Sequence, residues 1–599
     1  MKKVKGISRP VQVLLAVGVF LICSGNAVAQ EGPQFEWAGL LAGNIGLDFK
    51  IAVDAAGNSY TTGSFNGTAD FDPGAGVHNL TSAGSGDVFV CKLDKDGKFV
   101  WARAMGGTLY ERPNNIATDA AGNVYTTGYF EGTADFDPGA GVFSFTAAQK
   151  DVFISKLDTD GNFVWAKQFG GPFFYENQAY AIAVDPSGNV YTTGFFKNTT
   201  DFDPGPGVFN ISHTTGGGFV SKLDTDGNFV WAKAFTGEDG GIATGNSLAL
   251  DADGNIYTTG MFGKTIDFDP GAGVFNLTST TNYVYSSTYI SKLDPNGNFV
   301  WAKSLSENYN GGVVFNEYGI ATDASANVYL TSRFIGTQDF DPGAGTFNVT
   351  PVGKSDIYVL KLDSSGEFVW VRTIGSTEDD GGRSVATDAE GDVYFTGFFY
   401  DDIDVDPGSG TFNFTSSGIL ICKLDSEGDF AWAGEVKAGS YDKGTGLAVD
   451  GSGNVYTTGY FNSTGDFDPG PCTFNLTSSG SSDGFVLKLS QGTAAPGPTI
   501  TSFSPTSGPV GTSVTITGTN FSATPANNVV TFFNNKTATV TASTSTSITT
   551  TVPVGAVTGK ISVTVGCNTA VSATDFTVGA ASLPTITSFT PASGPLGTV

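Results

Sequence analysis

IATDAAGNVYTTGYFEGTADFDPGAGVFSFTAAQKDVFISKLDTDGNFVW, residues 116–165, is one complete copy of a repeat that fills most of the chain. All seven tryptophans occupy its last position, 62 to 70 residues apart. A sequence that repeats at such an interval is built from similar units that stack on one another. The seven positions are Trp37, Trp101, Trp165, Trp231, Trp301, Trp370 and Trp432.

Each copy predicts four β-strands. Its apolar and β-branched residues form short runs separated by Gly, Asp and Pro, which is typical of strands joined by turns. In the third copy the strands are predicted at 182–185, 189–196, 218–224 and 229–235. The turns begin with an Asp that can accept amide hydrogen bonds and end with a Gly that tolerates positive φ. Each copy is therefore predicted to be a four-stranded antiparallel sheet.

The ends of the repeat region predict that the sheets close into a ring. The seventh copy has a third strand, 484–489, but no fourth strand, whereas the segment 35–38 is a fourth strand with no third strand before it. Pairing the two removes the exposed edges of an open array. The predicted fold class is all-β: a seven-bladed β-propeller over residues 30–489, followed by an immunoglobulin-like β-sandwich.

Residues 1–29 have the pattern of a secretory signal peptide cleaved near Ala29. Basic residues begin the segment, an apolar run covers 11–23, and small residues occupy 27–29. The run is shorter than the ~20 residues of a membrane span. We expect a bacterial protein that is secreted or displayed at the cell surface, with no membrane span.

The formal charge of −28 is one of the clearest features of the composition, with 58 acidic against 30 basic residues. Removing the four basic residues of the signal peptide makes it −32. A polyanion of this kind repels nucleic acid, so we expect no nucleic-acid partner. Cations are the ligands that suit such a charge.

Four cysteines remain after residue 29, too few for a disulfide framework in so long a chain. Cys91 and Cys422 occupy a repeat position that is Ser in three other copies, at Ser155, Ser221 and Ser291. We expect both to be free and buried.

After a linker at 490–497 the composition changes to Thr, Ser and Val, and the tryptophan repeat stops. The segment 498–580 predicts a small β-sandwich. Its opening Ser-Pro-x-Ser-Gly-Pro-x-Gly-Thr resembles that of an IPT/TIG domain, an immunoglobulin-like module. The same opening recurs at 584–599, which we interpret as the start of a second such domain in a truncated sequence.

The repeat itself resembles the bacterial SBBP-type β-propeller family. The resemblance lies in D-x-x-G-N-V-Y-x-T-G, D-x-F-x-x-K-L-D and Gly-Asn-Phe-Val-Trp, and it covers residues 35–489. It implies a seven-bladed fold. These copies differ from the family pattern in a longer segment between the second and third strands. Because propellers serve as enzymes, scaffolds and lectins alike, the resemblance implies little about function.

That longer segment carries D-F-D-P-G, or D-V-D-P-G in one copy. Alternation puts both carboxylates on one side and the apolar residue on the other. Two carboxylates and nearby carbonyls suit Ca²⁺, but one pair supplies fewer than the about 6 to 8 oxygens that this ion takes. In the alternative, each Asp caps turn amides. Ca²⁺ is thus a candidate ligand rather than a required cofactor, and its candidate residues are Asp70, Asp72, Asp135, Asp137, Asp201, Asp203, Asp267, Asp269, Asp339, Asp341, Asp404, Asp406, Asp466 and Asp468.

The connections between blades, with the long loops 304–319 and 279–288, are predicted to share one face with these motifs. Variable loops on a rigid scaffold are where binding usually occurs, so this face is the candidate functional surface. The tryptophans could stack on sugars, but a fixed position in each blade favours packing between neighbouring blades.

Catalysis finds little support in the sequence. Two histidines follow the signal peptide, and no nucleophile, zinc or phosphate-loop motif appears. A catalytic carboxylate pair should break the repeat, as loop acids do at Glu176, Glu238, Asp239, Glu307, Asp379 and Asp380.

We therefore predict a monomeric, non-catalytic binding or adhesion scaffold for an extracellular protein or glycan. The alternatives are a propeller-type glycoside hydrolase or polysaccharide lyase, and the structural repeat region of a longer surface protein.

Overall fold

The computed structural model describes residues 32–171, 176–238, 240–279, 287–306, 318–439, 441–470, 472–480, 482–491, 497–579 and 588. The predicted signal peptide, most of the linker and, apart from residue 588, the second IPT/TIG opening lie outside the described residues, as do most of loops 279–288 and 304–319. Within the described residues the chain is all-β, and the 3₁₀ turn Pro525–Asn527 is its one helical element.

Seven antiparallel sheets of four strands follow one another in the described part of the repeat region. We number them 1 to 7 in chain order. The strands of sheets 1 to 4 are Lys50–Val53, Ser59–Phe65, Asp87–Leu93 and Phe99–Gly107; Glu111–Thr118, Val124–Phe130, Asp151–Leu157 and Phe163–Phe169; Gln178–Val184, Val190–Asp201, Asn210–Leu223 and Phe229–Phe235; and Ser247–Leu250 (with Ile242–Ala243), Ile256–Gly263, Ser287–Leu293 and Phe299–Ser306. Those of sheets 5 to 7 are Gly319–Thr322, Val328–Phe334, Asp356–Leu362 and Phe368–Ile374; Gly381–Thr387, Val393–Phe399, Gly418–Leu424 and Phe430–Val436; and Lys443–Val449, Val455–Phe461, Asp483–Ser490 and Gln34–Leu41.

The first strands of neighbouring sheets contact one another in a closed cycle, because sheet 7 contacts sheet 1. The fourth strand of sheet 7 comes from the start of the described chain: Gln34–Leu41 pairs antiparallel with Asp483–Ser490, with Phe35 opposite Leu489. This is the pairing expected from the unmatched third and fourth strands. The amide of Gly43 also donates to Asp483 Oδ1 at 3.1 Å, across 440 positions of sequence.

The structure extends each sheet beyond the predicted strands with a hairpin between its second and third strands. In sheet 3 the hairpin is continuous with both strands, which therefore reach Asp201 and start at Asn210. The segment was predicted to be a loop, because its strands are short and end in the Asp-Pro-Gly turn. The separate hairpins are Thr68–Asp70 with Asn79–Thr81, Thr133–Asp135 with Ser144–Thr146, Thr265–Asp267 with Asn276–Thr278, Gln338–Asp339 with Asn348–Val349, Ile403–Asp404 with Asn413–Phe414, and Thr464–Asp466 with Asn475–Thr477.

Each tryptophan packs on the next sheet, which confirms the packing interpretation. Trp101 of sheet 1 lies over Gly161, in the last turn of sheet 2, and a Cβ on that glycine would stand 2.8 Å from the indole. Gly161 also has a φ of +77°, so the turn and the close approach both require glycine. The indole Nε1 donates to Thr159 O of the same turn at 3.1 Å.

A lysine and a tyrosine complete this contact between sheets. Lys92 Nζ lies 4.9 Å from the centre of the Tyr60 ring and donates to Thr159 O at 3.0 Å. Tyr60 OH donates to Asp54 Oδ2 at 2.9 Å, and its ring lies 6.1 Å from that of Trp101. We call this arrangement of Trp, Lys and Tyr on the neighbouring turn the latch. Six of the tryptophan indoles donate to the next sheet, the latch acceptors being Lys95 O, Thr159 O, Thr225 O, Ser364 O, Ser426 O and Gln491 Oε1.

The C-terminal domain contains two four-stranded sheets around one core, which includes Val514, Ile548, Val530 and Phe576. The first sheet comprises Thr499–Ser504, Ser513–Thr519, Ser547–Thr551 and Val540–Ser543. The second comprises Lys536–Ala538, Asn528–Phe532, Ile561–Val565 and Asn568–Val571, and Ser507–Gly508 pairs separately with Thr577–Val578.

The cysteines are divided between two roles. Cys91 and Cys422 are buried and free, as expected. Cys472 and Cys567 form a disulfide between the seventh hairpin and the C-terminal domain, which the sequence analysis did not predict. The available signal was the repeat itself, because Cys472 stands where the other copies have Gly76, Gly141, Gly207, Gly273, Gly345 and Gly410.

The indole hydrogen bond of the latch predicts a difference in stability between two tryptophan substitutions. Trp301 Nε1 donates to Ser364 O at 3.2 Å, whereas Trp231 Nε1 is buried with no hydrogen-bond partner. Trp301→Phe and Trp231→Phe remove the same volume from equivalent positions. We expect Trp301→Phe to lower the free energy of unfolding by about 1 kcal/mol more than Trp231→Phe, measured by urea unfolding. Equal losses would show that the indole hydrogen bond contributes nothing.

The disulfide predicts a covalent link between the propeller repeats and the C-terminal domain. Peptide mapping of the oxidised protein should yield one joined peptide containing Cys472 and Cys567, which separates on reduction. Cys472→Ser should abolish that peptide, while Cys422→Ser should leave it unchanged. Recovery of both cysteines as free thiols from unreduced protein would contradict this prediction.

Candidate functional site

The acidic motifs lie on the outer wall of the ring. Phe143, which follows the motif of sheet 2, contacts Phe163 at the start of the fourth strand of its own sheet, with the ring centres 5.0 Å apart. In the motif of sheet 1, Pro73 packs against Gly39, on the fourth strand that precedes that sheet. Each motif therefore runs between two neighbouring outer strands. The sequence predicted these motifs on the face of the inter-blade connections. The structure places them on the outer wall instead.

The carboxylates of each motif hold their own turn together. Asp70 Oδ1 accepts the amides of Asp72 and His78, and Asp72 Oδ1 accepts the amide of Gly74 at 2.8 Å. The same three bonds recur in the other six copies, so all fourteen predicted aspartates occupy equivalent settings. Phe71 is buried between the carboxylates, as alternation predicts.

The two aspartates of a copy are brought together, but different copies are kept apart around the ring. Among the described residues we find no group of three or more His, Cys, Asp or Glu placed to hold a metal ion. Calcium binding at these motifs stays a prediction.

The axis of the ring contains a cavity of about 560 Å³. First strands of all seven sheets line it, so it is the point at which the whole repeat region converges. Its lining includes the beginnings of these strands, next to the connections that enter from the preceding sheets. The cavity therefore lies toward the face of inter-blade connections, which we call the loop face.

The wall of the cavity divides into an apolar part and a polar part. A collar of aliphatic side chains comes from the repeated position of the first strand: Ile51, Ile182, Leu248, Ile320, Val385 and Leu447. Two residues earlier, toward the loop face, five residue types occur in the seven sheets: Phe49, Asn114, Tyr180, Asn246, Tyr318, Arg383 and Thr445. Of these, Asn114, Tyr180, Asn246, Tyr318 and Arg383 line the cavity. The repeat thus preserves the collar and leaves the polar wall free to vary.

The polar wall is basic in an acidic protein. Of the described residues that line the cavity, Lys50, Arg112, Arg333 and Arg383 are basic and Asp48 is acidic, and Asp48 forms an ion pair with Arg112. This site is not predictable from sequence motifs, because none of the four residues belongs to one. The signal was their departure from the repeat: Arg333 stands where the other copies have Ser64, Tyr129, Phe195, Met261, Phe398 and Tyr460.

Three of the loop acids, Glu176, Asp379 and Asp380, make separate contacts in the described part of the chain. Asp380 is buried, and its carboxylate accepts the amides of Ser376 and Tyr400. Glu176 is exposed and pairs with Lys150 at 3.4 Å. Asp379 accepts the Ser355 hydroxyl at 3.1 Å, while Asp239 and Glu307 lie outside the described residues.

Burial raises the pKa of several carboxyl groups near the loop face. Burial raises the pKa of Glu111 to about 7, and the neighbouring charge of Asp87 adds to the effect. Glu111 Oε2 accepts the Gly107 amide at 2.9 Å, but Glu111 Oε1 and Asp87 Oδ1 are buried without hydrogen-bond partners. Burial likewise raises the pKa of Asp151, Asp380 and Asp442 to about 6.

The fold and the cavity define an all-β, propeller-like protein with an appended immunoglobulin-type domain. Family comparison agrees: residues 164–194 and 434–468 match the SBBP β-propeller repeat, and residues 498–578 match the IPT/TIG domain. The chain therefore carries both modules that the sequence resembled. Together they indicate a protein-interaction or adhesion-type scaffold.

The individual proteins that resemble this chain share little sequence identity with it. An uncharacterized WD repeat-containing protein of Acanthamoeba polyphaga mimivirus is 23% identical over 503 residues, covering 71% of this chain and 36% of that protein. The chain thus spans about a third of that relative. A Dyadobacter fermentans structure of unknown function matches with 12% identity and a TM-score of 0.33 over 77% of this chain and 99% of that one. The WD40 β-propeller domain of Doa1 matches with 10% identity and a TM-score of 0.27, over 65% and 96%.

Among the residues that the structure describes, none of the helical segments has the length and apolar character of a membrane span.

The buried acids predict a pH dependence of stability. The pKa of Glu111 is about 7 in the folded state and near 4.3 in an unfolded chain, so the folded state binds the proton more tightly between these values. The free energy of unfolding should therefore fall as pH rises from about 4.5 to 7. Glu111→Gln should reduce this fall by on the order of 1 kcal/mol in urea unfolding at several pH values. The exposed Glu36→Gln is the control, and an unchanged slope in Glu111→Gln would contradict the prediction.

Proposed function

We propose that this protein is an exported, seven-bladed β-propeller that binds an extracellular protein or glycan partner at its loop face, with the IPT/TIG domain as an immunoglobulin-like spacer. The observation that carries the proposal is the axial cavity. It has a volume within the range of ligand pockets, about 300 to 1,000 Å³, and its polar side chains are not the same in every blade. A purely structural ring would need no such variation.

Two further observations support export. Residues 1–29 have the pattern of a signal peptide, and a disulfide such as Cys472–Cys567 persists in oxidising compartments outside the cytosol. The disulfide also supports the spacer role, because it fixes the seventh hairpin to the IPT/TIG domain at a second point besides the linker.

The enzymatic alternative is a propeller that cleaves polysaccharide in the same cavity. Asp48 and the neighbouring basic residues are the only charged groups described there, and Asp48 is paired with Arg112. Glycoside hydrolysis uses two carboxyl groups, whereas the described lining of the cavity holds one, and that one is engaged by an arginine. Non-catalytic binding is therefore the function that the cavity supports best.

The test is a glycan and extracellular-protein array probed with the full chain, combined with a release assay on the polysaccharides that bind. Saturable binding without product supports the proposal, and turnover supports the hydrolase or lyase. Parallel measurements with EDTA and with added Ca²⁺ test whether the acidic motifs contribute through calcium. An array without any binding would overturn the recognition role and leave a structural repeat region of a longer surface protein.

A further inference from the structure

We propose that the outer wall of sheets 1 to 4 is a second interaction surface, which binds a segment of another protein that is rich in both basic and aliphatic residues. The surface is separate from the loop face and goes beyond the binding function proposed there. The observation that carries it is a set of four exposed valines, one in each hairpin. Between 70% and 78% of each residue is exposed, at Val77, Val142, Val208 and Val274.

These valines are not required by the fold. Sheets 5 to 7 carry threonine at the same position of the hairpin, at Thr346, Thr411 and Thr473. Threonine has nearly the volume of valine and adds a hydroxyl group, so a polar residue fits this position of the repeat. Valine recurs instead on four consecutive sheets, which makes it part of a repeated apolar surface rather than a scattered residue.

Each valine borders further exposed apolar surface. In sheet 2 the ring centre of Phe143, the residue after Val142, lies 5.0 Å from that of Phe163. Val164 follows Phe163 on the outer strand and is 44% exposed. Its equivalents in the neighbouring sheets are also exposed: Val100, Val230 and Val300. The hairpin and the outer strand of each of these four sheets therefore both present valine to solvent.

A groove of about 580 Å³ lies on the same wall between sheets 1 and 2. Its lining includes Leu80 of the first hairpin, Ala102 and Ala104 of the outer strand of sheet 1, and the turn 137–141 of the second hairpin. Val142 directly follows that turn. The groove gives the side chains of a partner a recess next to an exposed valine.

The charges beside the valines are mostly negative. Each hairpin holds the two aspartates of its motif, so the hairpins of these four sheets carry eight carboxylates. Each outer strand contributes one basic residue that extends toward the glycine turn of the next sheet: Arg103, Lys167, Lys233 and Lys303. Arg103 donates to Gly161 O at 2.9 Å, and Lys303 forms an ion pair with Glu367 at 2.8 Å. The wall therefore favours a partner that brings positive charge.

Basic and aliphatic side chains together complement this wall. A lysine or arginine covers apolar surface with its aliphatic stem while its charged end reaches a carboxylate. Neighbouring aliphatic residues of the same segment cover the valines and remove them from water. A second copy of this chain fits less well, because its own wall is acidic and the two walls would repel each other.

The seventh hairpin is an internal example of this part of the wall in contact with another domain. Cys472, the residue before Thr473, is bonded to Cys567 of the IPT/TIG domain. The charged residues of that domain, within 498–578, are Lys536, Lys560 and Asp575. A β domain with little negative charge therefore already contacts the hairpin of sheet 7, and the proposed surface extends this use to the hairpins of sheets 1 to 4.

The test uses the full chain and three synthetic peptides of equal length, in which Lys alternates with Val, Lys with Ser, or Glu with Val. Binding is measured by calorimetry at low and high salt. Charge is tested through the peptides and the salt, because the motif aspartates also hold their own turns. The wall variant carries the residue of sheets 5 to 7 at all four positions: Val77→Thr, Val142→Thr, Val208→Thr and Val274→Thr. The matched control combines Val352→Thr and Val554→Thr, at exposed valines outside this wall.

We expect the Lys/Val peptide to bind at least about tenfold more tightly than either of the other peptides, because aliphatic and charged contacts both contribute. The wall variant should lose about tenfold or more in affinity for it, while the control variant binds as the unchanged chain does. High salt should weaken the binding. Absence of binding by the Lys/Val peptide, equal binding of the Lys/Ser peptide, or binding that survives in the wall variant would overturn the proposal.

Two further measurements distinguish other occupants of the wall. Self-association in sedimentation that disappears in the wall variant would assign the valines to a second copy of the chain. Binding to phosphatidylcholine vesicles that disappears in the wall variant would assign them to a membrane, and either result would overturn the proposal. The wall variant should retain the ligands found on the array, because the loop face is unchanged, and their loss would contradict the separation of the two surfaces. Because the two tests use different ligands, failure of one leaves the other proposal standing.

Discussion

The latch between neighbouring sheets is the contact on which the rest of the structure depends. An indole ring lies flat on a glycine turn of the next sheet, and a lysine crosses the same boundary to a carbonyl of that turn. A four-stranded sheet alone leaves two faces exposed, so its stability comes from its neighbours. Each sheet packs its tryptophan on the next sheet and is itself covered by the tryptophan of the preceding one. The series of contacts is therefore complete only when the seventh sheet packs on the first.

The latch also determines where the chain can vary. It uses the last turn and the second, third and outer strands of the sheets, and these positions repeat almost unchanged. The beginnings of the first strands take no part in it. Their side chains face the axis, where seven strands meet, and a change there disturbs one position of one blade. The residues that hold the sheets together therefore lie in the wall of the ring, and the positions at its centre can change without disturbing them.

The sequence predicted what the repeat encodes. The strands of each copy, the closing pair between the two ends, the buried cysteines Cys91 and Cys422 and the packing of the tryptophans all follow from residues that recur, because recurrence shows what each position must do in every copy. The extended hairpins were missed because two or three residues per strand give no readable periodicity. The predicted position of the acidic motifs, on the face of inter-blade connections, was wrong. Strand order determines at which end of a sheet a connection begins, but it does not determine the direction in which that connection then folds, and these segments fold back along the outer wall.

The cavity and the disulfide were missed for a different reason. Arg112, Arg333 and Arg383 are far apart in sequence and belong to different strands, so only the closed ring brings them together. Cys472 replaces a glycine whose role, leaving space beside an aspartate, becomes visible only in the folded hairpin. In both cases the informative feature is a departure from the repeat, and its meaning depends on the geometry that the repeat creates.

The strand borrowed by the last sheet links the integrity of the whole repeat region to its two ends. A chain that stops before sheet 7 leaves Gln34–Leu41 without a partner, and a chain that lacks those residues leaves the edge of Asp483–Ser490 open. Either fragment would present an unpaired strand to proteases and to other chains. Both edges are covered only when the two ends of the repeat region are present in the same molecule.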